Sequence, residues 1–272
     1  METERLRVEL RDGVARMTLN RPDVRNALDG ALLRDLKEAF ALLERDPGVR
    51  SVVLGGAGKI FCAGADVHAM TQGDPRADAQ GLADVLRAIE DFPAPVIGRV
   101  HGAAMGGGSG LIAACDLVAA SEDAKFAFSE VKLGIVPGVI SAVVVPKIGA
   151  SQARRYFLTA ERFDAAEALR IGLLHAVVDE AKLDATVQGI VEQLLKGGPK
   201  AQAAAKDLIG AVVNRPVDRA LVEDTAERIA RIRSSPEGRE GVSAFLDKRR
   251  ASWVPPPEPE APAPNLPPPP GA

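Results

Sequence analysis

Residues 96–120 read VIGRVHGAAMGGGSGLIAACDLVAA, and this stretch decides the fold. Val96–Val100 is a short apolar run of strand length, and Gly106, Gly107 and Gly108 follow it and open an apolar helix through Leu111 to Cys115. Leu117–Ala120 then gives a second buried-type strand. A strand, a glycine turn, a helix and another strand imply parallel strands joined by crossover helices, so the class is α/β. Bare backbone at a helix start also offers free N–H donors and the positive end of the helix dipole, which suits an anion or a developing oxyanion. The same glycines would equally serve close packing of helix on strand, and on spacing alone both readings stand.

The flanks extend the pattern. Leu6–Leu10 and Val14–Leu19 enclose Asp12-Gly13, a hairpin signal. Asp29 reads as the N-cap of an amphipathic helix through about Glu44, with Leu32, Leu33, Leu36, Ala39, Phe40 and Leu43 on one face. Ser51–Leu54 reads as a buried strand and Leu82–Ile89 as a helix. From Ser151 to Arg250 the pattern is almost wholly helical, broken at Val177-Val178, Gly197-Gly198-Pro199 and Arg215-Pro216. Pro255 to Ala272 holds ten prolines and neither aromatic nor β-branched residues, a composition expected to stay disordered as a passive extension.

Bulk properties exclude several classes. The 272 residues are 46% hydrophobic and 26% charged, as in ordinary globular proteins. A net charge of −3 gives no basic field for nucleic acid or an anionic membrane. The longest nearly uncharged stretch, Val100 to Cys115, is too short and glycine-rich to span a bilayer. The N-terminus lacks the apolar core of a signal peptide, and Cys62 and Cys115 show neither disulfide nor metal spacing. The expectation is a cytoplasmic protein without membrane or nucleic-acid partners. Lys59 follows Gly58, but Ile60 stands where a phosphate loop needs Ser or Thr. Ser109 lacks the second spaced glycine of a nucleophile elbow, and with only His68, His101 and His175 a Ser-His-Asp hydrolase is disfavoured.

Three glycine-containing segments follow strands, where open α/β folds place ligand sites. They are residues 60–66 (IFCAGAD), 101–110 (HGAAMGGGSG) and 128–138 (FSEVKLGIVPG). In this order they resemble the diagnostic blocks of the crotonase (enoyl-CoA hydratase/isomerase) family. Residues 19–22 (LNRP), 26–28 (NAL), 115–117 (CDL), 159–165 (TAERFDA), 172–174 (GLL) and 240–249 (EGVSAFLDKR) match as well. The resemblance runs from about residue 5 to 253 and implies a ClpP/crotonase-like spiral of ββα units with a C-terminal helical trimerisation region. It divides the chain into a catalytic core over 1–195, a helical region over 196–253 and the tail over 254–272. It further implies a homotrimer or dimer of trimers, an acyl-CoA substrate, and neither metal nor separate cofactor, coenzyme A being part of the substrate.

Residue by residue, the resemblance makes the N–H groups of Ala65 and Gly107 an oxyanion hole for the thioester oxygen, and Glu130 a general acid/base. Ala63, Asp66, Val67 and His68 would line the pantetheine channel, and Arg25 would meet the phosphate or ribose end. Phe245 and Lys248 match positions that reach the coenzyme A of a neighbouring subunit. The chain departs from the family's hydratases at Gly110, where most carry a first glutamate. Residues 106–116 and 128–141 resemble those of bacterial 3-methylglutaconyl-CoA hydratases of leucine and isovalerate metabolism, which form 3-hydroxy-3-methylglutaryl-CoA. A Δ3-Δ2 enoyl-CoA isomerase and a non-catalytic acyl-CoA-binding protein are the rival readings. A diacid substrate needs a partner for its distal carboxylate, for which Lys132, Arg99 and Lys147 are the candidates.

Overall fold

The structure, a computed structural model, describes residues 3–256. The expected disorder of the tail lies outside them from residue 257 onward. Strands β1 (Leu6–Arg11) and β2 (Val14–Leu19) form the expected antiparallel hairpin. Its turn places Asp12 and Gly13 at positive φ, 52° and 77°, the conformation that matches the twist of the strands. Helix α1 (Gly30–Glu44) begins where the Asp29 carboxylate accepts the Leu32 N–H at 2.7 Å, and it buries the six residues of the expected face. Then follow β3 (Ser51–Gly56), α2 (Val67–Met70) and α3 (Pro75–Glu90). Helix α3 starts seven residues before the expected Leu82, because Asp74 caps the Arg76 N–H and Pro75 pre-sets the first turn.

The centre of the chain contains β4 (Val96–Val100), β5 (Ala103–Met105), α4 (Gly107–Ala114), β6 (Leu117–Ser121) and β7 (Lys125–Ala127). A 3-10 turn at Glu130–Leu133 leads into α5 (Gly138–Thr159), which bends at Gly149 (φ 74°, ψ 156°). The remainder is β8 (Phe163–Asp164), α6 (Ala165–Arg170), β9 (Ala176–Val178), α7 (Glu180–Lys196), α8 (Pro199–Val212), α9 (Arg219–Ser234) and α10 (Pro236–Leu246). Val177-Val178 does break the helical pattern between α6 and α7, and it does so as the edge strand of a sheet. A strand of three residues is too short to display a period.

The large sheet has the order β1-β2-β3-β4-β6-β9, and the small one β5-β7-β8. From β2 onward every pairing in the large sheet is parallel. The chain leaves the large sheet for the small one at Gly102, whose φ is 63°. A Cβ there would stand 2.2 Å from the Lys59 carbonyl oxygen, so only glycine permits that corner. Both faces of the large sheet are covered, as parallel strands require. On one, Leu32, Leu36, Phe40, Val85 and Ile89 pack against Met17, Val52 and Leu54. On the other, Leu183, Val187 and Val191 of α7 cover Val14, Val53, Ile97 and Ala119. Each fully buried Leu, Ile or Val contributes about 1.5–3 kcal/mol.

The last three helices attach through polar ties and few apolar ones. Lys206 on α8 donates to the Asp116 carboxylate at 2.8 Å and to the Ile89 carbonyl at 3.1 Å. Arg50 donates to the carbonyls of Gly197 (2.7 Å), Trp253 (3.0 Å) and Leu195 (3.3 Å), while the Trp253 indole donates to Lys196 at 3.1 Å. Helix α8 buries no residue, α9 only Leu221 and α10 only Ala244, and Ile209, Val217, Ile229, Phe245 and Leu246 are exposed. No helix of the described residues is long and apolar enough to cross a membrane. The ties predict where truncation begins to matter. Removing residues 257–272 should leave the melting temperature unchanged by scanning calorimetry. Starting the deletion at Trp253 removes one acceptor of Arg50 and the indole contact, and should lower it by about 2–8 °C.

Candidate active site

The site begins with two short pairings between loops. Leu28 donates its N–H to the Gly64 carbonyl at 2.8 Å and accepts the Asp66 N–H at 2.9 Å, so both its backbone groups bond the residues flanking Ala65. In a parallel pairing the residue opposite has its own N–H directed away from that partner. The Ala65 N–H accordingly has no acceptor among the described residues, and Ala65 is exposed. Cys62 pairs with Ala104 beside it, donating to the Ala103 carbonyl at 3.1 Å and accepting the Met105 N–H at 3.0 Å. That pairing sets residues 62–65 alongside the start of α4.

Gly107 is the first residue of α4, where a helix leaves its N–H without an internal partner. The Gly106 N–H, by contrast, is taken by the Ala127 carbonyl at 2.8 Å. A Cβ added to Gly107 would meet Leu28 Cδ1 at 3.0 Å and lie 3.9 Å from the Ala65 nitrogen. The absent side chain therefore keeps open the space beside both unpartnered N–H groups. That is a place for one oxygen carrying negative charge.

The loops are held by residues whose role the sequence did not declare. Asn26 is fully buried, and its side-chain amide donates to the carbonyls of Ala57, Ile60 and Phe61 at 2.8, 3.0 and 3.0 Å. Its oxygen accepts the Arg21 N–H at 2.9 Å. The Arg21 guanidinium in turn bridges Asp29 (3.0 Å) and Asp66 (3.1 Å) and donates to the Ala27 carbonyl. Burial acts to raise the Asp66 carboxyl, but the N–H groups of Ala69 and His68 and the Arg21 charge outweigh it and hold it below its ordinary range. The only sequence signal for this clamp was the family match at residues 19–22 and 26–28.

Glu130 enters from the 3-10 turn after β7. Its Oε2 is buried with no hydrogen-bond partner among the described residues. Burial pushes its carboxyl above the ordinary 4.5, with its own N–H opposing only in part. A Cβ at Gly106 would come within 3.1 Å of Oε1, so that glycine leaves room for the carboxylate. A half-buried carboxyl with one unpartnered buried oxygen and a raised pKa, beside open space, has the properties of a general acid/base.

Ala65, Gly107 and Glu130 line one cavity of about 460 Å³. Its wall is mostly apolar, from Leu28, Leu33, Met70, Leu82, Val136 and Ile140 among others. At Gly110 an added Cβ would meet Ile140 Cγ2 at 2.4 Å and Cβ at 3.0 Å, so Ile140 occupies the space a side chain at 110 would need.

The other expected residues fall in different places. Asp66 lines the cavity, while Ala63, Val67, His68 and Arg25 do not. Arg25 is exposed and joins the site only through its carbonyl, which accepts the Ala63 N–H at 3.0 Å. Phe245 and Lys248 are exposed at the end of α10, outside the cavity wall. The three candidate cations are elsewhere too. Arg99 pairs with Asp184 at 2.5 Å, Lys147 donates to the Cys115 carbonyl at 2.5 Å, and Lys132 is exposed outside the wall. Cys62 is a buried thiol pushed up to about 12 by burial, in keeping with a small apolar role.

A family model described as enoyl-CoA hydratase/isomerase matches residues 9–255. A crotonyl-CoA hydratase from Syntrophomonas wolfei is 34% identical over 260 residues, covering 93% of this chain and 99% of its own. A short-chain-enoyl-CoA hydratase from Clostridium acetobutylicum is 33% identical over 255 residues, covering 92% and 97%. Among solved structures, an enoyl-CoA hydratase from Shewanella pealeana superposes with a TM-score of 0.88 at 40% identity, covering 92% of this chain and 96% of that one.

The environment of Glu130 predicts the sign of a stability change. Its folded pKa lies above 4.5, so its ionisation costs stability at higher pH and not below. Glu130→Gln should melt no lower than the wild type at pH 8, with any advantage vanishing as pH falls towards 4. Calorimetry across that range checks it, and a variant that melts lower at pH 8 would show the carboxylate to be favourably paired.

Proposed function

This chain belongs to the enoyl-CoA hydratase/isomerase family, and from that premise we propose that it reversibly adds water across the C2–C3 double bond of a 2-enoyl-CoA thioester. The single observation that carries the reading is the cavity that brings Glu130 together with the two acceptorless N–H groups of Ala65 and Gly107. The thioester oxygen accepts from both N–H groups, which draws electron density from C3 and stabilises the enolate that forms when water attacks there. Loss of one such donor typically costs about 100- to 1,000-fold in rate.

Glu130 takes a proton from the attacking water as its oxygen bonds to C3, and the electron pair of the double bond moves into the enolate. The protonated Glu130 then returns that proton to C2 as the enolate collapses to the thioester. One carboxylate thus handles both transfers on one face of the alkene, giving syn addition. Burial raises its pKa above the ordinary carboxylate value, which favours the proton-accepting half of the cycle.

Glycine at 110, backed by Ile140, supplies no carboxylate from that position to orient the water, which supports a rival reading. In a Δ3-Δ2 isomerase Glu130 would carry a proton from C2 to C4 with no water involved. Within the hydratase reading, the sequence blocks nominate 3-methylglutaconyl-CoA, but its distal carboxylate would meet a wall that, among the described residues, holds no Lys, Arg or His. The proposal therefore extends to the thioester and its double bond. The exposed apolar residues of α9 and α10, such as Ile229 and Phe245, support a self-associating chain, with a trimer or dimer of trimers as its form.

Labelled water separates the two chemistries. Crotonyl-CoA and 3-methylglutaconyl-CoA incubated in oxygen-18 water should yield, for whichever is accepted, a 3-hydroxyacyl product carrying the label by mass spectrometry. Bond migration from a Δ3-enoyl-CoA without label would replace the hydratase reading with the isomerase one. Glu130→Gln should lower the hydration rate by about a thousandfold or more, at the high end for acid/base groups because two transfers are lost. A rate within tenfold of wild type would remove Glu130 from the mechanism.

A further inference from the structure

We infer that the acyl site selects an uncharged chain and that Ile140, seated on Gly110, is the specificity-determining residue that makes it so. The inference rests on the hydratase reading for where the reacting carbons lie, and it adds the class of chain beyond them.

Ile140 is the third residue of α5, 2% exposed, and shares the cavity wall with Glu130. Its side chain is seated closely against Gly110. An added Cβ at 110 would meet Ile140 Cγ2 at 2.4 Å and Cβ at 3.0 Å, so a side chain at 110 and Ile140 in its present position exclude one another. The pair therefore acts as a unit, in which glycine at 110 admits isoleucine at 140. Where a polar side chain could have projected towards the double bond, this chain presents a sec-butyl group.

The charges that face the cavity oppose a second substrate carboxylate. Asp29, Asp66, Asp78 and Glu130 line it, and among the described residues no Lys, Arg or His does. Arg21, the cation bound to two of those aspartates, is already shared between Asp29 and Asp66 and donates to the Ala27 carbonyl as well. A distal carboxylate placed against Ile140, Val136 or Leu82 would lose water without gaining a cation or a donor. Unpaired burial of that kind discriminates strongly, whereas an apolar chain gains from the same wall. Selection by an unfavourable encounter of this type is expected to exceed about 100-fold in affinity.

The experiment compares hexanoyl-CoA and adipoyl-CoA, equal in carbon number and differing by a terminal carboxylate, titrated calorimetrically into the full-length protein at pH 7.5. Hexanoyl-CoA should bind at least 100-fold more tightly, and equal or tighter binding of adipoyl-CoA would overturn the inference. Ile140→Gln, which puts a donor in the same wall, should shrink the gap at least fivefold. An unchanged gap in a folded Ile140→Gln protein removes Ile140 from the selection. Should that variant not fold, Ile140→Ala supplies the second readout. It should tighten 3,3-dimethylbutyryl-CoA relative to butyryl-CoA at least fivefold, and no change would overturn the placement of Ile140 beside C3. These are binding measurements on saturated thioesters, so their failure is distinct from absence of oxygen-18 uptake, which bears on the hydration reading alone.

Discussion

The register of the short parallel pairing between Leu28 and Ala65 governs the direction of one amide, and the proposed chemistry follows from that direction. Leu28 spends both its backbone groups on Gly64 and Asp66, so the peptide between them turns its N–H to the open side. A slip of one residue would turn that N–H into the protein and present a carbonyl oxygen instead, which repels an oxyanion. The investment around this pairing is correspondingly heavy. Asn26 holds three carbonyls of the adjoining loop, and Arg21 clamps the caps of α1 and α2 together through Asp29 and Asp66. Polar groups buried with full satisfaction rigidify a loop in a way that apolar contacts do not. The second N–H, of Gly107, comes without such support, since every helix start leaves its first N–H groups unpaired.

A carboxylate in an apolar cavity is costly unless something offsets its charge. Glu130 has none of the usual offsets on Oε2, and its raised pKa records the cost. The same cost makes it a stronger proton acceptor than an ordinary carboxylate, so destabilisation and reactivity have one origin. Ile140 contributes by excluding other polar groups from its side of the cavity. The apolar wall beside Glu130 thereby also defines which acyl chains are tolerated.

Much of this was legible in the sequence where local rules operate. Asp29 before an apolar stripe marked α1, Asp12-Gly13 marked the hairpin, and the glycines after Val96–Val100 marked the turn that exposes an N–H. The family blocks located Ala65, Gly107 and Glu130, which the fold brings to one cavity although they lie in three separate segments. What was not legible depends on contacts through space. The spacing of residues 110 and 140 carries no hint that one fills the other's side-chain volume, and the double pairing of Arg21 depends on two caps converging. The edge strand at Ala176–Val178 escaped because three residues have no period. Arg25, Val67 and His68, which the resemblance assigned to coenzyme A, do not line that cavity.

The central claim is that one thioester oxygen sits between the Ala65 and Gly107 N–H groups. A crystal structure of the protein with a bound saturated acyl-CoA tests it most directly. The account predicts the thioester oxygen within about 2.7–3.1 Å of both nitrogens, with C2 and C3 facing the Glu130 carboxylate. A bound thioester whose oxygen accepts from neither N–H, or whose acyl carbons lie outside the cavity shared by Glu130 and Ile140, would contradict it.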